Sequence, residues 1–368
     1  MKKMSAFRYS LLVCLGLVFS TMLSAQTQVE KFVPGSTLEG VSYFLPRTAL
    51  RVVVTSQRTV ITPGKYHNYA YKYLRIQDVP IQTSSTWSVK KVEIIPYSVP
   101  DPQKAYTVRL KGNTIAPMVS LTKDGILLGI NTKVTETQLP PVALPQMIQK
   151  AISYDDVLKY LNRDMLQAGS DAKMAELVAQ EIYDIRESRD ALLRGEADNT
   201  PKDGQQLKLM LDGLEQQINT LSSLFVGTTE ISEMTSVIDI VPNAITDKFL
   251  LFRFSKWTGM VDSDDMSGVP YYISVKKMGE LPEPSEDIKI AAQKGKMLTA
   301  VRYNVPARTK VQVYNSEKNW AELEIPMGQF GFEEILSNVL FDKKATTQVT
   351  FFQHTGGIKD IKQGTPAQ

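Results

Sequence analysis

Residues 50–61 read LRVVVTSQRTVI, and this segment decides the fold class of the chain. Valine, isoleucine and threonine branch at Cβ, which disfavours a helix and suits the pleated surface of a β-sheet. The run stops at Pro63-Gly64, a pair that is typical of turns. We therefore predict a β-strand over 50–61 that ends in a tight turn.

Other short runs of the same kind surround this strand. They cover residues 41–45, 87–95, 106–110 and 118–130, and the first two stop at Pro46 and Pro96. Short strands separated by turns are typical of β-sandwiches and barrels. Closely spaced prolines then indicate a linker, at Pro140, Pro141 and Pro145. We predict a β-sandwich-like N-terminal domain over 26–150 that ends in this proline-rich linker.

The strand pattern returns in the last part of the chain. Runs rich in β-branched and aromatic residues predict strands at 237–241, 249–254, 271–275, 298–303, 310–314, 321–325 and 347–352. One short helix, at 332–340, is predicted to interrupt them. Together these runs predict a second β-sandwich-like domain over 227–368.

Between the two β regions, the apolar residues adopt the spacing of a coiled coil. Stripe positions lie three or four residues apart at Ala175, Val178, Ile182, Ile185, Arg189 and Leu192, and again at Leu207, Leu211, Leu214, Ile218, Leu221 and Phe225. Gly195 suits the end of the first helix. Thr200 suits the N-cap of the second helix, with Pro201 and the acidic Asp203 in its first turn. Because the connection is short, the two helices are predicted to run antiparallel.

The predicted fold is thus mainly β with an inserted α-helical hairpin (α+β). Two β-sandwich-like domains flank an antiparallel, coiled-coil-like helix pair over 151–226. Arg189 interrupts the apolar stripe, and we expect it to pair with an acidic side chain.

The first part of the chain, 1–25, has the features of a signal peptide. Lys2, Lys3 and Arg8 precede an apolar run over 11–22, which is shorter than the roughly 20 residues that a membrane-spanning helix needs. We predict an exported protein of the periplasm or the periphery of the outer membrane. Its mature chain begins near Gln26 and has no transmembrane span.

The sequence offers little material for catalysis. Cys14 is the only cysteine, so removal of the signal peptide leaves no thiol for a disulfide, a nucleophile or a metal site. His67 and His354 lie in none of the spacings of a metal site or a catalytic triad, and no phosphate-binding loop motif occurs. We predict no metal and no cofactor, and no catalytic residue can be assigned.

The charges are unevenly distributed along the chain. The formal net charge of +3 comes from the signal peptide, so the rest is neutral, which argues against nucleic-acid binding. Residues 26–150 carry 15 basic and 7 acidic side chains, whereas 151–226 carry 8 basic and 14 acidic ones. The two regions could dock on each other, or the basic side chains could contact a polyanion such as phosphorylated lipid head groups. The basic residues concerned are Arg47, Arg51, Arg58, Lys65, Lys72, Lys90 and Lys91.

A first candidate binding group consists of three tyrosines. Tyr69, Tyr71 and Tyr73 alternate along the chain and would lie on one side of an extended strand. Their rings could then stack on a sugar or on a partner side chain, or they could pack into the core.

A second candidate group combines an aromatic ring with two carboxylates. Trp320, Glu322 and Glu324 would share one face of a predicted strand. Such a set suits a site that cleaves glycans. The alternative is a solvated strand face without a binding role.

Six segments, taken in order, resemble a known protein family. They are GVSYFLP (40–46), IRESR (185–189), LLRGE (192–196), PKDG (201–204), LFVG (224–227) and TGG (355–357). In this order they are similar to the family called domain of unknown function 4831, exported proteins of Gram-negative gut and oral commensal bacteria. The resemblance covers nearly the whole mature chain. It implies the predicted compartment and architecture, and it assigns no activity and no catalytic residue.

These observations favour a non-catalytic role. We expect a binding or scaffolding component of the cell envelope, whose partner is an envelope protein or a polyanionic or glycan component. The alternative is a carboxylate-dependent hydrolase of glycans or envelope polymers. A cavity with two carboxyl groups about 5–9.5 Å apart beside an aromatic ring would favour the hydrolase. Exposed apolar patches on the helix pair or at a sheet edge would favour assembly.

Overall fold

The computed structural model of the chain is mainly β, with 46% of its residues in strands and 23% in helices. The predicted mainly β class is therefore confirmed. The structure describes residues 28–31, 40–109, 119–198, 201, 203–286, 288–290, 300–336 and 347–363. The predicted signal peptide, with Cys14, lies outside the described residues.

The described strands form three sheets. In chain order they are β1 (Gln28–Lys31), β2 (Val41–Thr62), β3 (Ser84–Arg109), β4 (Val119–Leu121), β5 (Leu127–Ile130), β6 (Gln146–Gln149), β7 (Thr228–Ile240), β8 (Thr246–Ser255), β9 (Gly259–Val261), β10 (Val269–Lys277), β11 (Arg302–Tyr314), β12 (Asn319–Ile335), β13 (Thr347–Phe351) and β14 (Ile358–Gln363). The described α-helices are α1 (Tyr154–Leu158), α2 (Arg163–Leu166), α3 (Asp171–Arg194) and α4 (Gly204–Val226).

The two longest strands, β2 and β3, pair antiparallel along most of their length. Both continue through a proline, so the strand ends predicted at Pro46 and Pro96 are wrong. At Pro46 the register shifts through an irregularity that begins at Phe44. At Pro96 the only described neighbour of β3 is β2, because β1 pairs with β3 only from Tyr106 onward. Proline is tolerated on such an edge, since its missing N–H is not needed there.

The first sheet joins residues from both sides of the helix pair. Its strand order is β1-β3-β2-β7-β6, and β7, which follows α4 almost directly, pairs with β2 from Leu50 to Thr62. The second sheet has the order β12-β11-β10-β8-β9, and its Phe252 and Val311 share a hydrophobic core with Leu50 and Val52. The two β regions therefore share one sheet and one core instead of forming separate units. Side-chain alternation indicates which residues form strands but not which strands pair.

A smaller sheet of order β14-β13-β5-β4 covers one end of this assembly. Its core contains Val349 and Phe351 together with Tyr43 of β2 and Tyr106 of β3. The third sheet is thus packed on the first.

The helix pair consists of α3 and α4. α3 ends at Gly195, which adopts the left-handed conformation with φ 71°, as predicted. The predicted start of the second helix is wrong, because Asp203, predicted to lie in the first turn, is the N-cap. Thr200 itself lies outside the described residues. The Asp203 carboxylate accepts a hydrogen bond of 2.9 Å from the backbone N–H of Gln205. Aspartate is a better N-cap than threonine.

The helix pair packs against the end of the first sheet through the half that contains the C-terminal part of α4. Leu221 and Phe225 are fully buried, and the Phe225 ring contacts Tyr66, just after the turn that ends β2. The backbone N–H of Tyr66 donates to the Leu224 carbonyl oxygen at 2.6 Å. Gly64 permits this approach, because a Cβ at this position would lie 2.4 Å from the same oxygen.

The helix predicted at 332–340 is wrong over residues 332–335, which form the end of a strand. β12 continues to Ile335, and Phe332 pairs with Val305 of β11. Pairing with a distant strand outweighs the weak local helix preference. Residues 337–340 lie outside the described residues.

Candidate functional site

The three candidate tyrosines do not lie on a strand, so the predicted ladder is wrong. Tyr69 ends the 3-10 helix His67–Tyr69, and Tyr71 and Tyr73 lie in the π-helix Ala70–Leu74. Tyr69 and Tyr73 stack with ring centroids 6.0 Å apart, whereas Tyr71 is 54% exposed. Three tyrosines at alternate positions also place the first and the third four residues apart. On a helix, that spacing brings two side chains together.

This short helical segment is hydrogen-bonded to α3. The Tyr73 hydroxyl donates to the Ala172 carbonyl oxygen at 3.4 Å, and the Tyr183 hydroxyl donates to the Tyr73 carbonyl oxygen at 2.9 Å. Lys65 forms an ion pair of 3.4 Å with Asp171, which links the basic region to the acidic one. Tyr69 and Tyr73 thus pack against the core of the helix pair, whereas Tyr71 does not.

Other basic side chains of the first sheet are also engaged within the chain. Arg51 makes two hydrogen bonds of 2.8 Å to the carboxylate of Asp239. The guanidinium of Arg58 lies over the ring of Trp87, 5.8 Å from its centroid. These contacts occupy charges that an external polyanion would need.

Trp320 is separated from Glu322 and Glu324, although all three lie in β12. The register between β11 and β12 shifts here and leaves Trp320 without a paired residue. Its ring packs on the buried Tyr271, with centroids 5.7 Å apart, whereas both glutamates are exposed. Trp320 packs against the core, as Ala321 and Leu323 do, and does not share the exposed face of the two glutamates.

The two glutamates are neutralised by neighbouring cations. Glu322 forms an ion pair of 2.6 Å with Lys310 and accepts a hydrogen bond of 2.6 Å from Gln312. These contacts hold the pKa of Glu322 below its ordinary value. Glu324 lies 3.7 Å from Arg308. A general acid for glycoside hydrolysis needs a raised pKa, so the electrostatics oppose that chemistry.

The two histidines lie in different environments. His67 Nδ1 is 2.8 Å from the Gly64 carbonyl oxygen, at the turn after β2. His354 lines a cavity of about 380 Å³ together with Phe352 and Lys359. Within the described ranges, no three side chains of His, Cys, Asp and Glu come together in a way that could hold a metal ion.

Burial lowers the pKa of His354 below its ordinary value, because desolvation disfavours the charged imidazolium. As the pH falls below about 6.5, the unfolded chain takes up a proton that the native state resists. The free energy of unfolding should therefore decrease between pH 7 and pH 5, and less so in His354→Gln. Thermal unfolding across this range measures the difference. An unchanged pH dependence in the variant would contradict the expected role of His354.

An apolar groove lies between α3 and α4, at the end of the pair near their connection. It has a volume of about 530 Å³. We call it the helix-pair groove, and its principal lining residues are Ser188, Ala191 and Leu192 of α3 with Met210, Gly213 and Leu214 of α4.

Large apolar side chains are exposed around the helix-pair groove. Leu209, which also lines it, is 74% exposed, and Met210 is 43% exposed. An ion pair of 3.0 Å connects Arg189 of α3 with Glu215 of α4. Arg189 thus pairs with an acidic side chain as predicted.

Further cavities lie elsewhere in the described part of the molecule. One of about 540 Å³ is lined by apolar residues, among them Ile240, Ile245 and Phe249. Another, of about 470 Å³, is lined by residues between His67 and Ile81. None of these four cavities is lined by two carboxylate side chains.

A second exposed apolar surface lies at an edge of the first sheet. β6 pairs with β7 alone, and its Met147 and Ile148 are both more exposed than buried. Leu144, just before β6, is 81% exposed. The chain therefore has apolar surface both on the helix pair and at a sheet edge.

The family model described as domain of unknown function (DUF4831) matches residues 39–359. The chain belongs to the DUF4831 family. No curated protein and no solved structure matches the chain. The DUF4831 match confirms the resemblance that the six sequence segments indicated, and its description names no activity.

Two of the segments that resemble the DUF4831 family meet in the structure. Gly356 has φ 71°, and a Cβ there would lie 2.6 Å from Cδ of Pro46. Asn304 Nδ2 donates to the carbonyl oxygens of Pro46 at 3.0 Å and Thr355 at 2.8 Å. These segments of the DUF4831 chain thus form a buried structural junction.

Among the described helices of the DUF4831 chain, none combines the length and the apolar character needed to cross a membrane.

The helix-pair groove contains none of the candidate binding residues predicted from the sequence. Gly213 lies inside a helix, where glycine costs about 1 kcal/mol relative to alanine. Leu209 and Met210 are apolar but lie off the predicted stripe. In this DUF4831 protein, a glycine inside a helix next to apolar residues outside the stripe indicates a second packing surface, and the groove could have been predicted from that combination.

Proposed function

We propose that the protein is a non-catalytic binding or scaffolding component of the cell envelope, exported to the periplasm or the periphery of the outer membrane. The observation that carries this proposal is the helix-pair groove, with Leu209 and Met210 exposed beside it. Contiguous exposed apolar surface marks interaction sites in soluble proteins. The exposed edge at Met147 and Ile148 supports the same conclusion.

The alternative, a carboxylate-dependent hydrolase, has no comparable support. None of the four cavities offers a pair of carboxylates. The predicted candidates Glu322 and Glu324 are exposed and paired with Lys310 and Arg308. An envelope protein is therefore the partner we favour over a glycan substrate.

The proposal includes a finer view of the architecture. The first and second sheets would form a β-sandwich, because Leu50 and Val52 of one share a core with Phe252 and Val311 of the other. α3 and α4 would form an antiparallel, coiled-coil-like hairpin that projects a partner surface. The contact between Arg189 and Glu215 supports opposite helix directions across a short connection.

The experiment uses the tagged full chain expressed in its source bacterium. The mature protein should begin near Gln26, carry no lipid at Cys14 and fractionate with the envelope, because the export signal is short and precedes a polar chain. Chemical cross-linking in intact cells should give one predominant complex with an envelope protein. Intact mass and N-terminal sequencing check the processing, and mass spectrometry identifies the complex.

Two results would overturn this proposal. One is a cytoplasmic or lipidated protein with no stoichiometric complex. The other is glycan cleavage by the purified protein that is lost in Glu322→Gln, which would establish the hydrolase instead.

A further inference from the structure

We propose that the helix-pair groove binds an amphipathic α-helix of a partner protein, one that carries lysine or arginine along an edge of its apolar face. This inference rests on the proposed binding function and names the chemistry of the partner surface. Three features of the groove carry it: its small lining residues, its apolar margin and its acidic α3 side.

Small residues line the groove on both helices, and two of them, Ser188 and Gly213, are exposed. Ser188 and Ala191 are three residues apart on α3, and Gly213 faces them from α4. A Cβ added to Gly213 would meet no atom within 4 Å, so the space above it is open. Small residues let a third helix approach closely, as when an amphipathic helix lies in an apolar groove of its receptor.

The margin of the groove supplies the apolar contacts. Leu209 and Met210 extend from α4 into solvent, although they lie beside the half-buried Leu214. A partner helix with apolar residues at three- and four-residue spacing would cover these side chains. In helix-in-groove complexes the apolar face of the bound helix packs against side chains of this kind.

Over residues 184–198 the chain carries five acidic and three basic side chains, so the α3 side of the groove is acidic on balance. Asp184 lies one turn before Ser188, Glu187 lies next to it, and Asp198 lines the groove near the end of the pair. None of these three carboxylates forms an ion pair with a residue that the structure describes, whereas the nearby Arg194 is paired with Glu196 at 2.7 Å. Asp184 accepts a hydrogen bond of 2.8 Å from Gln180 Nε2, so Glu187 and Asp198 are the carboxylates that basic residues of the partner would meet first. Such contacts favour association and select the partner.

The same charges disfavour a second copy of this chain as the occupant. Another helix pair would bring its own acidic side, and the region 151–226 carries 14 acidic and 8 basic residues. Like charges brought together at an interface oppose association. A helix with a basic edge is the complementary occupant.

The test uses the full chain and two synthetic helical peptides with the same leucine face. One peptide has lysine at the flanking positions, and the other has glutamate there. Fluorescence anisotropy should show saturable 1:1 binding of the lysine peptide and about tenfold or weaker binding of the glutamate peptide. The affinity for the lysine peptide should fall as salt is raised, because exposed charges are screened.

Gly213→Leu is the decisive variant. The added side chain fills the open space of the groove and removes an unfavourable glycine from a helix, so the protein stays folded. Binding of the lysine peptide should weaken by about tenfold or more. Leu193→Lys is the matched control, since Leu193 is 61% exposed on α3 but does not line the groove. This control should bind as the unchanged protein does.

A charge reversal tests the choice of occupant. Asp184→Lys with Glu187→Lys should shift the preference toward the glutamate peptide. Equal binding by the unchanged protein and Gly213→Leu, or equal binding of both peptides, would overturn the inference. Self-association in analytical ultracentrifugation that Gly213→Leu abolishes would make a second copy the occupant and leave the proposed function standing. Absence of any envelope complex in cells would overturn the proposed function itself.

Discussion

Leu221→Ala should lower the free energy of unfolding by about 3 kcal/mol, within the usual range for a buried leucine. Leu221 is 0% exposed and belongs to the core that joins α3 and α4 to Tyr66 and Phe225. The truncation removes apolar contacts and leaves a cavity that the surrounding helices fill only in part. Urea denaturation followed by circular dichroism at the helical band measures the change.

Leu214→Ala is the matched control for this prediction. Leu214 occupies the same stripe of α4 but is only half-buried, beside the helix-pair groove. The same truncation there should cost at most about 1 kcal/mol, because its side chain is already partly hydrated. Equal losses for the two variants would mean that the helix pair is packed evenly along its length, and the groove would not exist as described.

The heptad spacing predicts the helix pair but not which half of it is packed. Both stripes are regular from Ala175 to Leu192 and from Leu207 to Phe225. Only the half near Phe225 meets Tyr66 and the short helical segment after β2, which lies far away in the sequence. Burial on a helix depends on what its apolar face meets, and spacing alone carries no information about a distant partner.

The strands were predictable, whereas their ends and partners were not. Val and Thr in 50–61 indicate a strand, but the continuation through Pro46 depends on an irregularity in the pairing with β3. The pairing of β2 with β7 spans the whole helix pair. Register and partner choice are set by packing between distant segments, which a single strand pattern does not encode.

The side-chain arrangements predicted for the candidate residues are wrong for two local reasons. Tyr69 and Tyr73 satisfy both a strand alternation and a helical spacing, and the chain forms a helix there. Trp320 falls at a register shift, which separates it from Glu322 although the two are two residues apart. A single extra residue in a strand moves the side chains that follow it to the opposite face of the sheet. Alternation therefore predicts a shared face only where pairing is regular.

Asn304→Ala should lower the free energy of unfolding by about 3 kcal/mol, since each buried polar group left without a partner costs about 1–3 kcal/mol. Asn304 is 0% exposed, and its Nδ2 donates to the carbonyl oxygens of Pro46 at 3.0 Å and Thr355 at 2.8 Å. Alanine leaves both oxygens buried without this donor. Chemical denaturation measures the loss, and Asn319→Ala is the control.

The control separates a buried amide from an exposed one. Asn319 lies in the next strand, and its Nδ2 donates to Glu322 at 3.1 Å in an exposed position. Its truncation should change the stability by no more than about 0.5 kcal/mol, because water replaces the lost hydrogen bond.

Asn304→Asp sharpens the test, since a carboxylate of the same shape would face two carbonyl oxygens without a proton to donate. That variant should be at least as unstable as Asn304→Ala at neutral pH and should regain stability as acid protonates it. A loss below about 0.5 kcal/mol in Asn304→Ala would show that the junction of Pro46 and Thr355 does not depend on this amide.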